Sequence, residues 1–112
     1  MPFSYQIELR FYPVGQGLFA FGQIKSVQSE RCFRWVYDCG TVSSQSLITG
    51  AIDDLCESFG SGKLQVDLVV LSHFDRDHIS GLVKLLKKCS VKTLLLPYVP
   101  LWQRLIVAFN AG

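Results

Sequence analysis

Six consecutive positions of this chain hold both of its histidines and two of its nine carboxylates: His73, Asp75, Asp77 and His78, within LSHFDRDHISGL (71–82). Imidazole nitrogens mixed with carboxylate oxygens form the donor set that zinc, manganese or iron accepts. His73 and Asp75 are two apart, so an extended backbone points both to one side. Asp77 and His78 follow where a helix is expected to open, and the positive end of a helix dipole favours a carboxylate there. Two ions held by such pairs would bind a bridging water, lower its pKa towards ~7 and clamp a phosphate or carbonyl oxygen. Capping or a solvated loop would account for Asp75 or Asp77 singly. Neither accounts for both histidines and two aspartates in one window after an apolar strand, so a metal site is the stronger reading.

Periodicity supplies the elements around that loop. Tyr5, Ile7, Leu9 and Phe11 alternate with Gln6, Glu8, Arg10 and Tyr12, which predicts a half-buried strand. PVGQG (13–17) turns it and LFAFGQI (18–24) returns. CFRWVYDCG (32–40) alternates again, with Phe33, Trp35 and Tyr37 on one side, and ends at Asp38 and Gly40. From Ser44 the period becomes helical: Leu47, Ile48, Ala51, Ile52, Leu55, Cys56 and Phe59, with Ser43 or Ser44 as N-cap and Gly60 as the stop. VDLVVL (66–71) is a compact apolar run, the mark of a strand covered on both faces. Ile79, Leu82, Val83, Leu86 and Cys89 predict a helix over 79–89, and VKTLLLP (91–97) another buried strand. Pro100 is expected to open a last helix with Trp102, Leu105, Ile106 and Phe109 on one face. The order β-β-β-α-β-α-β-(α) predicts an α/β (α+β) fold with a mixed sheet, antiparallel early and parallel late. In the late βαβ unit the 73–78 loop falls at the carboxyl edge, where such units bind ligands.

At 112 residues the chain is one small domain or part of a larger one. A net charge of +2 argues for neither a nucleic-acid nor a membrane partner by itself. Its distribution is uneven: residues 1–78 carry six Lys/Arg and all nine Asp/Glu, whereas 79–112 carry five Lys/Arg and no carboxylate. Cys32, Cys39, Cys56 and Cys89 form no C-x-x-C pair, which suggests reduced thiols in a cytoplasmic setting. No signal-like opening occurs, and no apolar run approaches the ~18 residues of a membrane span, so no membrane association is expected. The apolar fraction of 49% and the mean hydropathy of +0.29 point to apolar surface meant for a partner.

SHFDRDHISGL resembles the H-x-[HD]-x-D-H-x-x-G signature of the metallo-β-lactamase fold, in the form where aspartate replaces the second histidine. That H-x-D-x-D-H form is similar to the hydrolase domain of the competence DNA-uptake protein ComEC and its soluble relatives. VGQGLFAF resembles the family's early VGQGD hairpin, with Leu18 standing where the ComEC-like pattern has Asp, and WVYDCGT resembles its strand end in D-x-G. The resemblance runs in order over about residues 5–98. It implies that His73 and Asp75 bind a first metal and Asp77 and His78 a second. It also implies that Asp77 orients or deprotonates the attacking water, that Asp38 is structural near the metal floor, and that the ions are two Zn2+, with Mn2+ or Fe as alternatives. The implied activity is metal-dependent hydrolysis of phosphodiester or nucleic-acid-type substrates. The family fold is an αββα sandwich of two β-α halves whose remaining ligands lie downstream. After His78 this chain has no His, Asp or Glu. Residues 1–112 are therefore expected to be the N-terminal half, a partial domain completed by a missing C-terminal half or a second chain. The alternative is a catalytically incomplete half-domain used in binding or assembly.

Other motifs are weaker. Gly15, Gly17 and Ala20 satisfy G-x-G-x-x-A, with Asp38 about twenty residues on, but no helical period follows to supply a phosphate-binding N-terminus. A DHH-type phosphoesterase motif places its first aspartate further from the histidine and has no histidine in the place of His78. Lys84, Lys87, Lys88 and Lys92 could steer a phosphate backbone, although a solvated helix face is the simpler account. Asp53, Asp54 and Glu57 read as the wet face of their helix. Ser72 has no base near it except the proposed ligands, which argues against a serine nucleophile.

Overall fold

The computed structural model describes residues 4–60 and 62–98; the helix expected from Pro100 lies outside the described residues. Five strands and three helices follow in the order β1 (Tyr5–Phe11), β2 (Gly17–Ser26), β3 (Cys32–Thr41), α1 (Gln45–Glu57), β4 (Leu64–Val70), α2 (Arg76–Ile79), α3 (Leu82–Lys88) and β5 (Cys89–Leu95). They form one mixed sheet in sequential order, with β1–β2–β3 antiparallel and β3–β4–β5 parallel. This is the mixed α+β architecture that periodicity indicated. The G-x-G-x-x-A stretch enters β2 directly, so it carries no phosphate-binding helix.

The core lies between the sheet and the helices. Ile48, Ala51, Ile52 and Leu55 of α1 recur at helical spacing and are buried against Phe19, Phe21, Val36, Val66, Val69 and Leu85. Burial of one such large aliphatic side chain contributes about 1.5–3 kcal/mol, which is what holds α1 down. On the same side Arg10 and Arg34 stack over the Phe59 ring at 5.1 and 4.9 Å, their charged heads covering apolar surface at the end of α1.

The other face of the sheet corrects the burial expectations. Cross-strand partners share a face, so the rows Ile7–Ile24–Phe33, Leu9–Gly22–Trp35–Leu68 and Phe11–Ala20–Tyr37–Val70–Leu95 lie together. The Trp35 ring lies over Gly22, where no Cβ would fit. In β1 it is the apolar row that is open: Ile7 is 67% and Phe11 72% exposed, while Arg10 turns toward the core side. β1 is thus not half-buried in the expected sense. β4 is covered on one face only, and β5 is an edge strand that ends with Leu95 and Leu96 half exposed. Period two shows that a strand has an apolar face; it does not show which face the helices will cover.

The helix expected over 79–89 is broken in two and begins earlier, at Arg76. Backbone capture by β3 is the reason. Gly81 N–H donates to the Cys39 carbonyl at 2.8 Å, and the Ser80 hydroxyl accepts from Thr41 N–H at 2.8 Å and donates to the Thr41 carbonyl at 3.0 Å. A Cβ at Gly81 would stand 2.6 Å from Ile48 Cγ1 and 3.0 Å from Cys39 Sγ, so a larger residue here would have to displace core side chains. The capping expected at Ser44 is positional: Ser44 occupies the N-cap, yet its hydroxyl bonds Ser46 rather than a helix N–H. All four cysteines are free thiols, with Cys56 and Cys89 Sγ atoms 3.8 Å apart. No helix among the described residues is long and apolar enough to cross a membrane.

Candidate metal centre

A β-bulge builds the floor of the site. Phe19 pairs with Cys39 but Ala20 pairs with Tyr37, so Asp38 is an extra residue with no partner across the ladder. Its φ of +57° is left-handed, a conformation tolerated by Asp more readily than by most residues. The bulge lets Asp38 and Cys39 both point to the helix side, and both are fully buried. Directly beyond, Gly40 lies against the backbone of α2: a Cβ there would sit 2.5 Å from Ile79 N and 2.6 Å from the Arg76 carbonyl oxygen. α2 therefore rests on the end of β3 without an intervening side chain.

The Asp38 carboxylate organises what lies above it. Its Oδ1 accepts Ser72 N–H at 2.7 Å, and its Oδ2 accepts the Ser72 hydroxyl at 2.6 Å and His78 Nδ1 at 2.7 Å. A fully buried carboxylate is stable only when so bonded. His78 is left with Nε2 free on the outer side, 3.4 Å from Asp77 Oδ2. The His73 ring lies 5.1 Å from the His78 ring, centroid to centroid, and its Nδ1 is 3.0 Å from Ser72 Oγ. Asp75 occupies the N-cap of α2, where its carbonyl accepts His78 N–H at 2.9 Å; its side chain is exposed and caps nothing.

His78 thus lies beside both His73 and Asp77, while no hydrogen bond or ion pair joins His73 to Asp75. Among the described residues, no three His, Cys, Asp or Glu side chains gather closely enough to hold an ion by themselves. The donors still fit a divalent metal in kind. Both imidazoles are tethered through Nδ1, and an imidazole ligand is commonly oriented through its second nitrogen by a carboxylate or hydroxyl. Asp38 does this for His78 directly. Ser72, set aside as a nucleophile, stands between Asp38 and His73. The clue to it in the sequence is only its position, next to a histidine at a strand end, and the bulge that delivers Asp38 has no signature in the sequence.

A family model described as the metallo-beta-lactamase superfamily matches residues 33–98, more than half of the chain. The chain belongs to that superfamily. The matched segment opens in β3, holds Asp38 and the whole 73–78 loop, and closes after β5. Membership points to metal-dependent hydrolysis in general terms, the superfamily usually binds divalent metals such as zinc, and the mixed sheet with flanking helices agrees with part of its fold. No curated protein and no solved structure matches the chain.

The charges next to the loop have a structural use. Lys84 Nζ donates to Asp53 Oδ2 at 2.9 Å and to the Thr49 carbonyl at 3.0 Å, and Lys88 lies 3.1 Å from Asp53 Oδ1. These contacts tie α3 to α1. Asp53 is therefore not merely wet surface, and Lys84 and Lys88 are not a free anion-binding row. Hydrogen bonding from Lys84 and then Lys88 lowers the Asp53 pKa.

Proposed function

We propose that the chain is the metal-binding N-terminal half of a ComEC-like hydrolase domain acting on phosphodiester or nucleic-acid-type substrates. The observation that carries this reading is the buried Asp38 carboxylate bonded to His78 Nδ1 at 2.7 Å, which leaves Nε2 free on the rim shared with His73 and Asp77. A carboxylate buried in that way is an arrangement for orienting an imidazole ligand. His73, Asp75, Asp77 and His78 are the residues that would hold the ions, two Zn2+ or else Mn2+ or Fe. Bound there, a divalent ion supplies a water of lowered pKa and a Lewis acid for the phosphoryl oxygen. Asp77, whose partly exposed Oδ2 lies 3.4 Å from His78 Nε2, would accept the proton of the attacking water. The H-x-D-x-D-H spacing of the loop supports the substrate class; the lysines of α3 do not.

The site is completed by further ligands from a C-terminal half or a second chain. That piece would pack on the open face formed by Ile7, Leu9, Phe11, Phe33 and Tyr37, since contiguous apolar surface on this scale marks a surface to be covered. The same open face also favours a second reading, a catalytically incomplete half-domain used in assembly.

The test is metal analysis of the purified chain, with phosphodiesterase assays on a chromogenic diester, beside the double variant His73→Ala/His78→Ala. Zinc or manganese bound by the native chain and lost in the double variant supports the ligand set. Metal retained by the double variant refutes it, and metal binding without turnover supports the half-site in place of the complete hydrolase.

A further inference from the structure

We infer that Ser72 is a positioning residue: its hydroxyl relays the Asp38 carboxylate to His73 and holds that imidazole with its proton on Nδ1 and Nε2 bare. Ser72 Oγ has a single proton, and that proton goes to Asp38 Oδ2 at 2.6 Å, the shorter and charge-assisted contact. Its contact with His73 Nδ1 at 3.0 Å must then run the other way, with the ring nitrogen as donor. Asp38 has no proton to give either, because its two oxygens already accept Ser72 N–H, Ser72 O–H and His78 Nδ1–H. One buried carboxylate thus sets the tautomer of both imidazoles, directly for His78 and through Ser72 for His73. The backbone N–H of Ser72 pins the hydroxyl over Asp38, so the relay has little freedom to rotate away.

The tautomer assignment needs no metal. Its consequence for metal rests on the proposed function above, since a bare Nε2 on each ring is what an ion on that rim would require. The two can be tested apart. In the metal-free, ¹⁵N-labelled full chain at alkaline pH, long-range ¹H–¹⁵N correlation distinguishes the protonated ring nitrogen from the bare one. Both histidines of the native chain are expected as Nδ1–H. In Ser72→Ala, His73 should shift toward the Nε2–H form that an unrestrained neutral imidazole prefers, while His78 stays Nδ1–H. Ser72→Thr should restore His73. Zinc affinity, read by competition with a chelating dye, should fall about 10- to 100-fold in Ser72→Ala and recover in Ser72→Thr. Native His73 found as Nε2–H overturns the inference, even if Ser72→Ala fails to fold. So does a His73 tautomer indifferent to Ser72→Ala. A native chain with the expected tautomers that takes up no zinc upholds the relay and defeats the metal reading instead.

Discussion

Gly40→Ala is expected to dislodge the candidate site through backbone contact alone. The added Cβ would stand 2.5 Å from Ile79 N, 2.6 Å from the Arg76 carbonyl oxygen and 2.7 Å from the His78 carbonyl carbon. All three atoms belong to the backbone of α2, so no side chain can swing aside. Ordinary contact begins at 3.4 Å, which requires α2 to retreat by just under ~1 Å from β3. His78 travels with α2, and a retreat on that scale stretches its 2.7 Å bond to Asp38 beyond hydrogen-bonding range. Overpacking costs about 1–3 kcal/mol and loss of a hydrogen bond to a buried charge about 1.5–3, so the variant should lose about 2.5–6 kcal/mol. That is a large share of the stability of a domain this size. Gly50→Ala is the matched control. Gly50 lies within α1, a Cβ there would meet nothing within 4 Å, and the change should stabilise by about 0.5–1 kcal/mol. Urea unfolding followed by circular dichroism measures both. A Gly40→Ala chain within 1 kcal/mol of native, with His78 still hydrogen-bonded to Asp38, would refute the claim that bare backbone contact positions α2.

Asp38→Asn should cost about 2–4 kcal/mol, because one accepting oxygen becomes a donating amide nitrogen and at least one of the three donors on Asp38 loses its acceptor, while the left-handed conformation at φ +57° remains tolerable. Asp38→Ala should cost about 4–6, since three buried donors lose their acceptor and alanine resists that conformation; urea melts giving the two variants equal stability would contradict this. Asp53 makes an acid-side contribution. Its folded pKa is lowered by Lys84 and Lys88, so its stabilisation is present above the unfolded value near 3.8 and lost as pH falls through the folded one. Asp53→Asn should flatten that part of the stability curve at low pH, and an unchanged curve would count against the α1–α3 tie. Thiol labelling should follow burial: Cys32 and Cys56 first, with Cys39 and Cys89 last, because desolvation pushes both of the latter thiols up, Cys89 to about 12. Mass spectrometry of iodoacetamide-treated native chain reads the order directly, and early modification of Cys39 would show that the floor of the site opens.

Local pattern made the strands and the long helix legible. The alternation of Tyr5 to Phe11, the turn at PVGQG and the helical spacing from Leu47 to Phe59 each depend on neighbours within one element. The loop was legible for a different reason, as four donor side chains concentrated in six positions. What stayed hidden depends on contacts between elements. Nothing in FRWVYDCG announces that Asp38 is a bulged residue, because the bulge exists only in the pairing of β3 with β2. Nothing in Ile79 to Cys89 announces a break, because Ser80 and Gly81 leave the helix to bond the end of β3. The direction of the exposed apolar rows was hidden likewise, since alternation is symmetric between a sheet's two faces.

The hidden features share a location and a consequence. An unbulged β3 would keep strict alternation, and Asp38 and Cys39 could not both face the helices. An unbroken helix over 79–89 would not tie its first turn to Thr41 and Cys39. The two irregularities meet at residues 38–41 and 78–81, and between them they bring one buried carboxylate beneath both imidazoles of the chain. Regular elements supply the frame and the core, whereas the orientation of His73 and His78 comes from the two places where β3 and its partner helix depart from regularity.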